Sequence, residues 1–319
     1  MKLGFVSDSL GGLPLDTLLD HAVRLGVAGV EVNTGGWSAA PHFDIAAMKS
    51  GAAARSRFLA AFADRGLEVI ALNANGNPLH PTDTAQAQCL MDTIRLAGEM
   101  GITTVCTMSG LPAGREGDLM PNWVVSSWPP ETRAILRYQW EDRLIPFWTE
   151  VVALAKVCGV ERIALEMHGN QVVYNVPSLL RLRAAVGPIV GANLDPSHLF
   201  WMGADPLIAA EALGAAVLHV HAKDTFLNGP KQATTSLLEN GGLTDIAARS
   251  WSFITLGFGH GEEWWRQFCY RLRLGGYDGW LSVEHEDVML DALEGLEKSV
   301  ELLKRVMPAA RADDAPPPI

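Results

Sequence analysis

Eight short apolar runs alternate with longer segments of helical periodicity along nearly the whole of this 319-residue chain. The runs cover residues 3–6, 28–32, 67–72, 103–108, 162–166, 190–195, 215–221 and 279–284. Alternation of this kind is typical of strand–helix units that assemble into a parallel sheet. Because eight such units fill roughly 300 residues, the sequence predicts an α/β fold, a (β/α)8 TIM barrel.

A doubly wound open sheet is the alternative architecture. It would usually carry a Gly-rich nucleotide-binding loop after the first strand, but residues 7–12, Ser-Asp-Ser-Leu-Gly-Gly, do not match Gly-x-Gly-x-x-Gly. No linker-like stretch divides the chain. We therefore expect a single barrel domain over residues 1–307, followed by a disordered, Pro-rich tail over residues 308–319.

Two connections are too long for ordinary barrel loops. Residues 109–131 follow the fourth strand, residues 225–261 follow the seventh, and neither stretch has a clear period. Connections longer than about 12–15 residues are often lids or binding loops. We expect long mouth loops after strands 4 and 7.

Four of the predicted strands end in a side chain that can bind a metal, and these are Glu166, Asp195, His221 and Glu284. The carboxyl ends of barrel strands meet at one mouth, where the active sites of TIM barrels lie. Strand side chains alternate between two faces, so counting back by two residues places small or polar side chains inside the barrel. The sequence predicts that the four side chains converge.

Three carboxylates and one imidazole form an oxygen-rich donor set. Such a set suits Mn²⁺, Mg²⁺ or Co²⁺ better than Zn²⁺, which more often binds His and Cys. Without a cation, three carboxylates at one mouth would repel one another. We expect a divalent metal, with Mn²⁺ as the first choice and Mg²⁺ or Co²⁺ as alternatives.

Charge and composition limit the partners and the compartment. The net charge of −11 argues against nucleic acid and anionic membranes as partners. The four cysteines show no Cys-x-x-Cys pairing, and the N-terminus lacks the apolar stretch of a signal peptide. We expect a cytoplasmic protein that acts on a small neutral or keto substrate.

The predicted site favours one first chemical step. A metal that binds a carbonyl and a neighbouring hydroxyl of a sugar stabilises the enolate formed when the intervening carbon loses its proton. Return of the proton to the other face gives epimerisation, and its return to the neighbouring carbon gives isomerisation. If a leaving group lies β to the carbonyl, the same enolate expels it and the enzyme is a lyase. The residues specify the first step better than the second.

Four motifs carry a family resemblance: Glu166 at the fifth strand, Asp195 followed by His198, His221 in His-Val-His-Ala-Lys-Asp, and Glu284 in Ser-Val-Glu-His-Glu. With these motifs the chain resembles the sugar phosphate isomerase/epimerase family of xylose isomerase-like TIM barrels over about residues 1–307. The resemblance implies that the four strand-end residues bind the metal. It also implies that Glu166 and Glu284 act as the acid–base pair and that His198 contacts substrate.

Two features differ from the compact ketose 3-epimerases of this family. Those enzymes carry an Arg six residues after the ligand His, where this chain has Leu227. They also lack insertions as long as residues 109–131 and 225–261. Both differences point away from simple ketose epimerisation.

The tripeptide Glu166-Met167-His168 resembles the catalytic subunit of bacterial C-glycoside deglycosidases. In those enzymes a His two residues after the ligand Glu takes part in catalysis. They cleave 3-oxo-glycosides and pair with a small β-rich subunit. The resemblance makes His168 a further catalytic candidate and leaves open a homo-oligomer or a hetero-oligomer with such a subunit.

Other residues near the predicted mouth are candidates for substrate binding. His80 lies in a loop after the third strand, Lys223 follows the His-Val-His motif, and Trp123 lies in the first long loop. Aromatic faces stack on sugar C–H surfaces, although most Trp side chains are structural. Lys223 and Asp224 are equally compatible with substrate binding and with structural ion pairing. His219, one layer below His221, is expected to be a hydrogen-bonded interior residue.

Three functions compete. The first is a metal-dependent sugar isomerase or epimerase, and the second is a lyase that cleaves 3-oxo-glycosides. The third is a non-catalytic barrel that serves as a sugar-binding subunit, for which weak metal binding is expected. A DNA-repair endonuclease on the same barrel would have more His ligands and a basic groove, so the acidic charge counts against it.

Overall fold

The computed structural model describes residues 1–308, so the predicted tail lies outside the described residues from residue 309 onward. The described part contains these strands: β1 (Lys2–Val6), β2 (Gly29–Asn33), β3 (Glu68–Ala74), β4 (Thr104–Met108), β5 (Arg162–Glu166), β6 (Val190–Leu194), β7 (Val217–Ala222), β8 (Asp224–Leu227), β9 (Trp251–Ile254) and β10 (Trp280–Val283). β1 to β7 and β10 are parallel and form a closed barrel in which β10 pairs with both β1 and β7. This closed barrel confirms the predicted fold class.

Helices connect the barrel strands and surround them. Over residues 1–308 they are α1 (Leu15–Leu25), α2 (Ile45–Ser50), α3 (Ala52–Ala63), α4 (Ala85–Glu99), α5 (Glu131–Arg137), α6 (Ile145–Cys158), α7 (Val176–Val186), α8 (Pro196–Trp201), α9 (Pro206–Leu213), α10 (Gly229–Thr235), α11 (Glu262–Leu274) and α12 (Ala292–Val306). A π-helical segment, Tyr138–Leu144, joins α5 to α6, and short 3-10 helices cover Ser7–Leu10 and Gly214–Ala216. No helix among the described residues is both long and apolar enough to cross a membrane.

The two faces of the barrel strands carry different side chains. Leu165 and Leu194 face outward and are fully buried in one large cluster with helix residues such as Trp148. Ala164 belongs to a separate, small cluster inside the barrel that contains Ile70, Ala71 and Cys106. Burying a large aliphatic side chain stabilises the fold by about 1.5–3 kcal/mol, so the outward faces fix which strand residues point inward. Polar strand residues are thereby directed into the barrel.

Two helices end before a glycine whose backbone is in the left-handed region. α1 ends at Gly26 (φ 63°) and α6 ends at Gly159 (φ 78°), both in the left-handed region that favours glycine. Each glycine turns the chain back into the next barrel strand, β2 or β5.

The connection after β7 contains more regular structure than the sequence predicted. β8 and β9 form an antiparallel pair, with Asp224 opposite Ile254 and Leu227 opposite Trp251, and α10 follows β8. The two strands are short and far apart in sequence, so no local hairpin signal marks them. Residues 109–130, after β4, contain no helix or strand.

Candidate active site

A cavity of about 770 Å³ lies at the carboxyl ends of the barrel strands. Its walls come from strand ends and from loops after several strands, and they include Asp8, Trp37, Asn75, Glu166, His168, His198, Lys223, Trp251, Phe253, Glu284 and Glu286. The volume falls within the roughly 300–1,000 Å³ of small-molecule sites. Both its position and its size are those of a TIM-barrel active site.

The four predicted ligands meet at the carboxyl ends of the strands, and two of them, Glu166 and Glu284, line the cavity. Glu166 is the last residue of β5, Asp195 directly follows β6, His221 lies near the end of β7, and Glu284 directly follows β10. One ligand atom from each lies within 4.8 Å of one from every other. The first three side chains are buried and that of Glu284 is 13% exposed. The set that the sequence predicted is thus brought together in space.

Unpaired polar atoms mark the same place. His221 Nδ1 and Asp195 Oδ2 are buried without a hydrogen-bond partner among the described residues. Nδ1 lies 3.2 Å from Glu166 Oε2 and 3.4 Å from Glu284 Oε2, but without the geometry of a hydrogen bond. Leaving buried polar atoms unpaired costs about 1–3 kcal/mol each. The donor set therefore fits a divalent cation, whose coordination would satisfy all of these atoms.

The carboxylates of the cluster differ in their ionisation. Burial alone would raise the pKa of Glu166, but contacts with His198 and His221 outweigh it and hold this pKa well below the ordinary value. Burial also opposes ionisation of Glu284, but Lys223 and His221 lower its pKa to about 2. For Asp195 burial prevails over Lys223 and raises the pKa to about 7. Two of the three carboxylates are thus ionised at neutral pH, and the third titrates near it.

Asp195 is fixed by the start of α8. Its side chain accepts a hydrogen bond of 2.8 Å from the Ser197 amide, and Pro196 occupies the first position of the helix. Asp at this position satisfies an amide that has no partner within the helix. Because only Oδ1 is used in this bond, Oδ2 remains directed at the cluster.

His198 and His168 lie side by side above Glu166. Their ring centroids are 4.1 Å apart, and His198 Nε2 is 2.8 Å from Glu166 Oε1. Burial lowers the pKa of His198 to about 3, so this ring is neutral. His168 Nδ1 donates to the Gly169 carbonyl at 2.5 Å, which leaves Nε2 as the nitrogen available to a substrate in the cavity.

Lys223 supplies the positive charge of the site. It is 3% exposed, and its ammonium lies 2.5 Å from Glu284 Oε2, 3.0 Å from Glu286 Oε2 and 3.3 Å from Asp195 Oδ2. Burial would lower the pKa of Lys223, but these carboxylates raise it well above its ordinary value. Lys223 is therefore a permanent cation between the cluster and the cavity rim.

Asp224, next to Lys223, has a different role. It is fully buried and accepts hydrogen bonds from the amides of Gly257, Gly259 and His260 and from the His260 ring. These bonds fasten the segment after β9 to the barrel. The two residues thus differ in position, because Lys223 lines the cavity and Asp224 does not.

The β8–β9 pair covers one side of the cavity. Trp251 stacks on Trp201 with centroids 4.8 Å apart, and Phe253 packs edge-on against His198 at 5.2 Å. The Lys223 ammonium lies 4.5 Å from the centre of the Phe253 ring. Aromatic walls beside charged groups are suited to a ligand with both apolar and polar surfaces.

Two predicted substrate contacts do not line this cavity. The His80 ring accepts hydrogen bonds from the amides of Thr82 and Asp83, so it closes its own loop. Trp123 packs against Tyr174 and Trp201 and lines a separate groove of about 350 Å³. In both cases a loop position near a strand end was not enough to predict where the side chain points. Trp37, also in a mouth loop, does line the cavity, with its ring 5.8 Å from that of His168.

Glu31 is a residue of the site that the sequence analysis missed. It lies within β2, is fully buried, and contacts His219 and His221 through its carboxylate. It was missed because it is not at the end of its strand. A charged residue in the middle of an apolar strand, Gly-Val-Glu-Val-Asn, was the available signal, because such a charge is rarely buried without a partner.

Comparison with known proteins agrees with the fold. A family model described as xylose isomerase-like TIM barrel matches residues 19–306. The chain is 45% identical over 311 residues to the uncharacterized protein YfiH of Bacillus subtilis strain 168, covering 96% of this chain and 99% of that protein.

Solved structures with a similar fold have 17–18% sequence identity to this chain. They include the probable 3-DHS dehydratase AsbF of Bacillus anthracis (TM-score 0.66, 95% of this chain and 99% of that one). A D-tagatose 3-epimerase-like protein has a TM-score of 0.63, and the IOLI protein with a bound zinc atom has a TM-score of 0.65; each match covers 96% of this chain and 98% of the other. At this identity the likeness concerns the fold.

Proposed function

The chain belongs to the family of xylose isomerase-like TIM barrels, and we propose that it is a divalent-cation-dependent isomerase or epimerase of a keto sugar. In this proposal the enzyme removes the proton from the carbon next to the carbonyl. The observation that carries it is the convergence of Glu166, Asp195, His221 and Glu284, with one ligand atom from each within 4.8 Å of the others, beside a 770 Å³ cavity that Glu166 and Glu284 line. A bound cation, with Mn²⁺ as the first expectation, would supply the positive charge that stabilises the oxyanion of the deprotonated sugar.

Glu284 is the proposed base. It is ionised at neutral pH because its pKa is about 2, and its side chain is the most exposed of the cation cluster. An ionised carboxylate can accept a proton from carbon, but one with so low a pKa is a weak base, so the position of Glu284 at the cavity wall carries this assignment and its pKa does not. Lys223, 2.5 Å from Glu284 Oε2, holds that carboxylate in place.

Glu166 is the proposed partner of Glu284 in proton transfer. Asn75 Nδ2 donates to Glu166 Oε2 at 2.8 Å, and His198 contacts the other oxygen, so the carboxylate is held from two sides. Inversion of the carbon requires that Glu166, which is ionised in the resting site, first take a proton from solvent and deliver it to the face opposite Glu284. Return of the abstracted proton from Glu284 to the neighbouring carbon instead exchanges aldose and ketose. His198 and the rim residue Trp37 are placed to contact the sugar.

Cleavage of a 3-oxo-glycoside is the second candidate, and two observations favour it. His168 lines the cavity beside His198, with the Nε2 nitrogen available, so it is placed to protonate a leaving group. A cavity of 770 Å³ lies in the upper part of the range for small-molecule sites, which leaves room for a substituent beyond the sugar ring. In this reaction Glu284 takes the proton from the carbon next to the ketone, and the electrons of that C–H bond expel the group β to the carbonyl. The expelled group takes a proton from Nε2 of the doubly protonated His168 ring.

One experiment separates these functions and the non-catalytic alternative. Free keto sugars and a 3-oxo-glycoside are incubated with the Mn²⁺-loaded protein in D₂O, the cation is removed with chelator, and the products are analysed by proton NMR. Deuterium at the carbon next to the ketone without cleavage supports the isomerase or epimerase. Release of the aglycone establishes the lyase, and Glu284→Gln must abolish either reaction. If neither deuterium incorporation nor release of the aglycone is observed, the proposed function is overturned.

A further inference from the structure

Glu31 forms a buried hydrogen-bonded group directly below the cation cluster. Its Oε2 is 2.7 Å from His219 Nε2, and its Oε1 is 3.0 Å from His221 Nε2. Asn73 Nδ2 also donates to Oε1, at 2.7 Å. All of these residues are at most 1% exposed. A fully buried carboxylate is thus held by three donors from β3 and β7, on either side of the barrel interior.

The direction of these bonds determines which nitrogen of His221 faces the cluster. An ionised carboxylate only accepts hydrogen bonds, so His221 Nε2 carries the hydrogen that points at Glu31. With that hydrogen on Nε2, the lone pair that the ring would offer to a cation lies on Nδ1, the atom within 3.4 Å of both Glu166 and Glu284. A partner on the second nitrogen also makes a ligating imidazole more basic.

A second cation site is the alternative interpretation of this group of residues. Glu31, Cys106, His219 and His221 offer ligand atoms within 4.8 Å of one another. However, the Nε2 atoms of both rings have Glu31 as a hydrogen-bond partner. The unpaired nitrogen of His221 is Nδ1, which belongs to the upper cluster. Within this group, the ring nitrogen of His221 that has no partner therefore faces the upper cluster and not Glu31.

We propose that Glu31 is a positioning residue that holds His221 with Nε2 protonated and Nδ1 directed at the cation, while His219 and Asn73 hold Glu31. The inference rests on the cation site of the proposed function. It adds a residue that contacts neither the substrate nor the cation and acts through His221.

The first test is Mn²⁺ binding, measured by calorimetry without substrate. We expect one Mn²⁺ per chain in the wild type and binding ten- to a hundred-fold weaker in Glu31→Gln, because the amide removes the negative charge that makes Nδ1 more basic and puts a donor in place of one acceptor. Glu68→Gln is the matched control, because it makes the same substitution at an exposed residue of β3 whose carboxylate pairs with Lys2. Its Mn²⁺ affinity is expected to equal that of wild type, since it touches neither the cluster nor the residues that hold Glu31.

The second test needs no variant. In Zn²⁺-loaded wild-type protein with ¹⁵N-labelled histidine, we expect His221 to show a protonated Nε2 whose hydrogen exchanges slowly with solvent. A ring protonated on Nδ1 would overturn the proposal even if Glu31→Gln fails to fold. The proposal is also overturned if Glu31→Gln binds Mn²⁺ as tightly as the wild type. It is overturned as well if each wild-type chain binds two Mn²⁺ and Glu31→Gln binds only one. Mn²⁺ binding by an inactive wild type overturns only the proposed function, whereas absence of Mn²⁺ binding overturns both.

Discussion

The ammonium of Lys223 lies 2.5 Å from Glu284 Oε2, and the two side chains are only 3% and 13% exposed. Lys223 also lies 3.3 Å from Asp195 Oδ2, so a single positive charge sits against two of the three cluster carboxylates. Buried ions of like sign are strongly unfavourable unless an opposite charge lies close by. Lys223 therefore makes the cluster stable before any cation binds, and it keeps the proposed base ionised.

Replacing Lys223 by Met tests this relationship, because Met keeps much of the side-chain volume and removes the charge. Removal of one partner from a buried ion pair costs about 3–5 kcal/mol, and we expect a loss of this order in the free energy of unfolding of the cation-free protein. Urea denaturation in the presence of chelator measures it. Lys298→Met is the control, because that exposed side chain makes one weak pair with Glu294 and its loss is worth about 0–1 kcal/mol. Equal effects of the two substitutions would contradict the role given to Lys223.

Replacing Glu284 by Gln should abolish turnover and leave the barrel intact. The amide cannot accept a proton from carbon, so we expect deuterium incorporation into the substrate to fall by about 10²–10⁴-fold. Glu286→Gln is the matched control, because Glu286 also contacts Lys223 but is 48% exposed at the rim, and we expect it to keep most of the activity. Circular dichroism checks the fold of both variants. Full activity of Glu284→Gln would remove Glu284 from the mechanism.

The sequence was sufficient for those parts of the site that follow from strand periodicity. Glu166 and His221 were predictable because strand side chains alternate and the strands of a parallel barrel end at one mouth. Leu165 and Leu194 fixed the outward face, so the inward direction of their neighbours followed. The fold class was predictable for the same reason, since each of the eight strand–helix units carries its own local signal.

The parts of the site that could not be predicted depend on contacts between distant residues. His80 and Trp123 lie in loops, where no period fixes the direction of a side chain, and the structure directs both away from the main cavity. Glu31 pairs with a residue 190 positions away, a relation that no sequence pattern reports. The β8–β9 pair is likewise held by contacts between segments separated by more than twenty residues.

Cation binding should release protons in a pH-dependent way. Burial raises the pKa of Asp195 to about 7 from an ordinary 3.8, so in the cation-free protein this group is protonated below neutral pH and must lose its proton to bind a cation. The number of protons released per bound Mn²⁺ should therefore rise by about one as the pH falls from about 8.5 to 5.5. The affinity for Mn²⁺ should weaken over the same fall in pH. Calorimetry in buffers of different ionisation enthalpy measures this release.

The direction in which pH changes the stability of the cation-free protein follows from the same pKa of Asp195. Because the pKa of Asp195 is higher in the folded than in the unfolded protein, protonated Asp195 contributes to the free energy of unfolding below about pH 4. This contribution is lost as the pH rises through about 7. Added Mn²⁺ should remove this loss, since the cation binds the ionised form. Proton release that does not change between pH 8.5 and 5.5 would show that Asp195 is already ionised in the cation-free protein.

Replacing Asp224 by Asn should loosen the side of the cavity formed by β8 and β9. The Asp224 carboxylate accepts from the amides of Gly257 and His260 at 3.1 and 2.9 Å and from the His260 ring at 2.7 Å. Hydrogen bonds to a charged group contribute about 1.5–3 kcal/mol each, and an amide retains only part of this set, so we expect a loss of about 3 kcal/mol in the free energy of unfolding.

The kinetic effect should fall mainly on substrate binding, because Phe253 forms part of the cavity wall and Asp224 does not. We expect Asp224→Asn to raise KM several-fold and to change kcat much less, because the cation cluster on the barrel strands is untouched. Asp245→Asn, an exposed Asp to Asn change in the same connection, is the matched control and should leave both constants and the stability unchanged. A fall in kcat with KM unchanged would instead place Asp224 in the chemical step and contradict its assignment as an anchor of this wall.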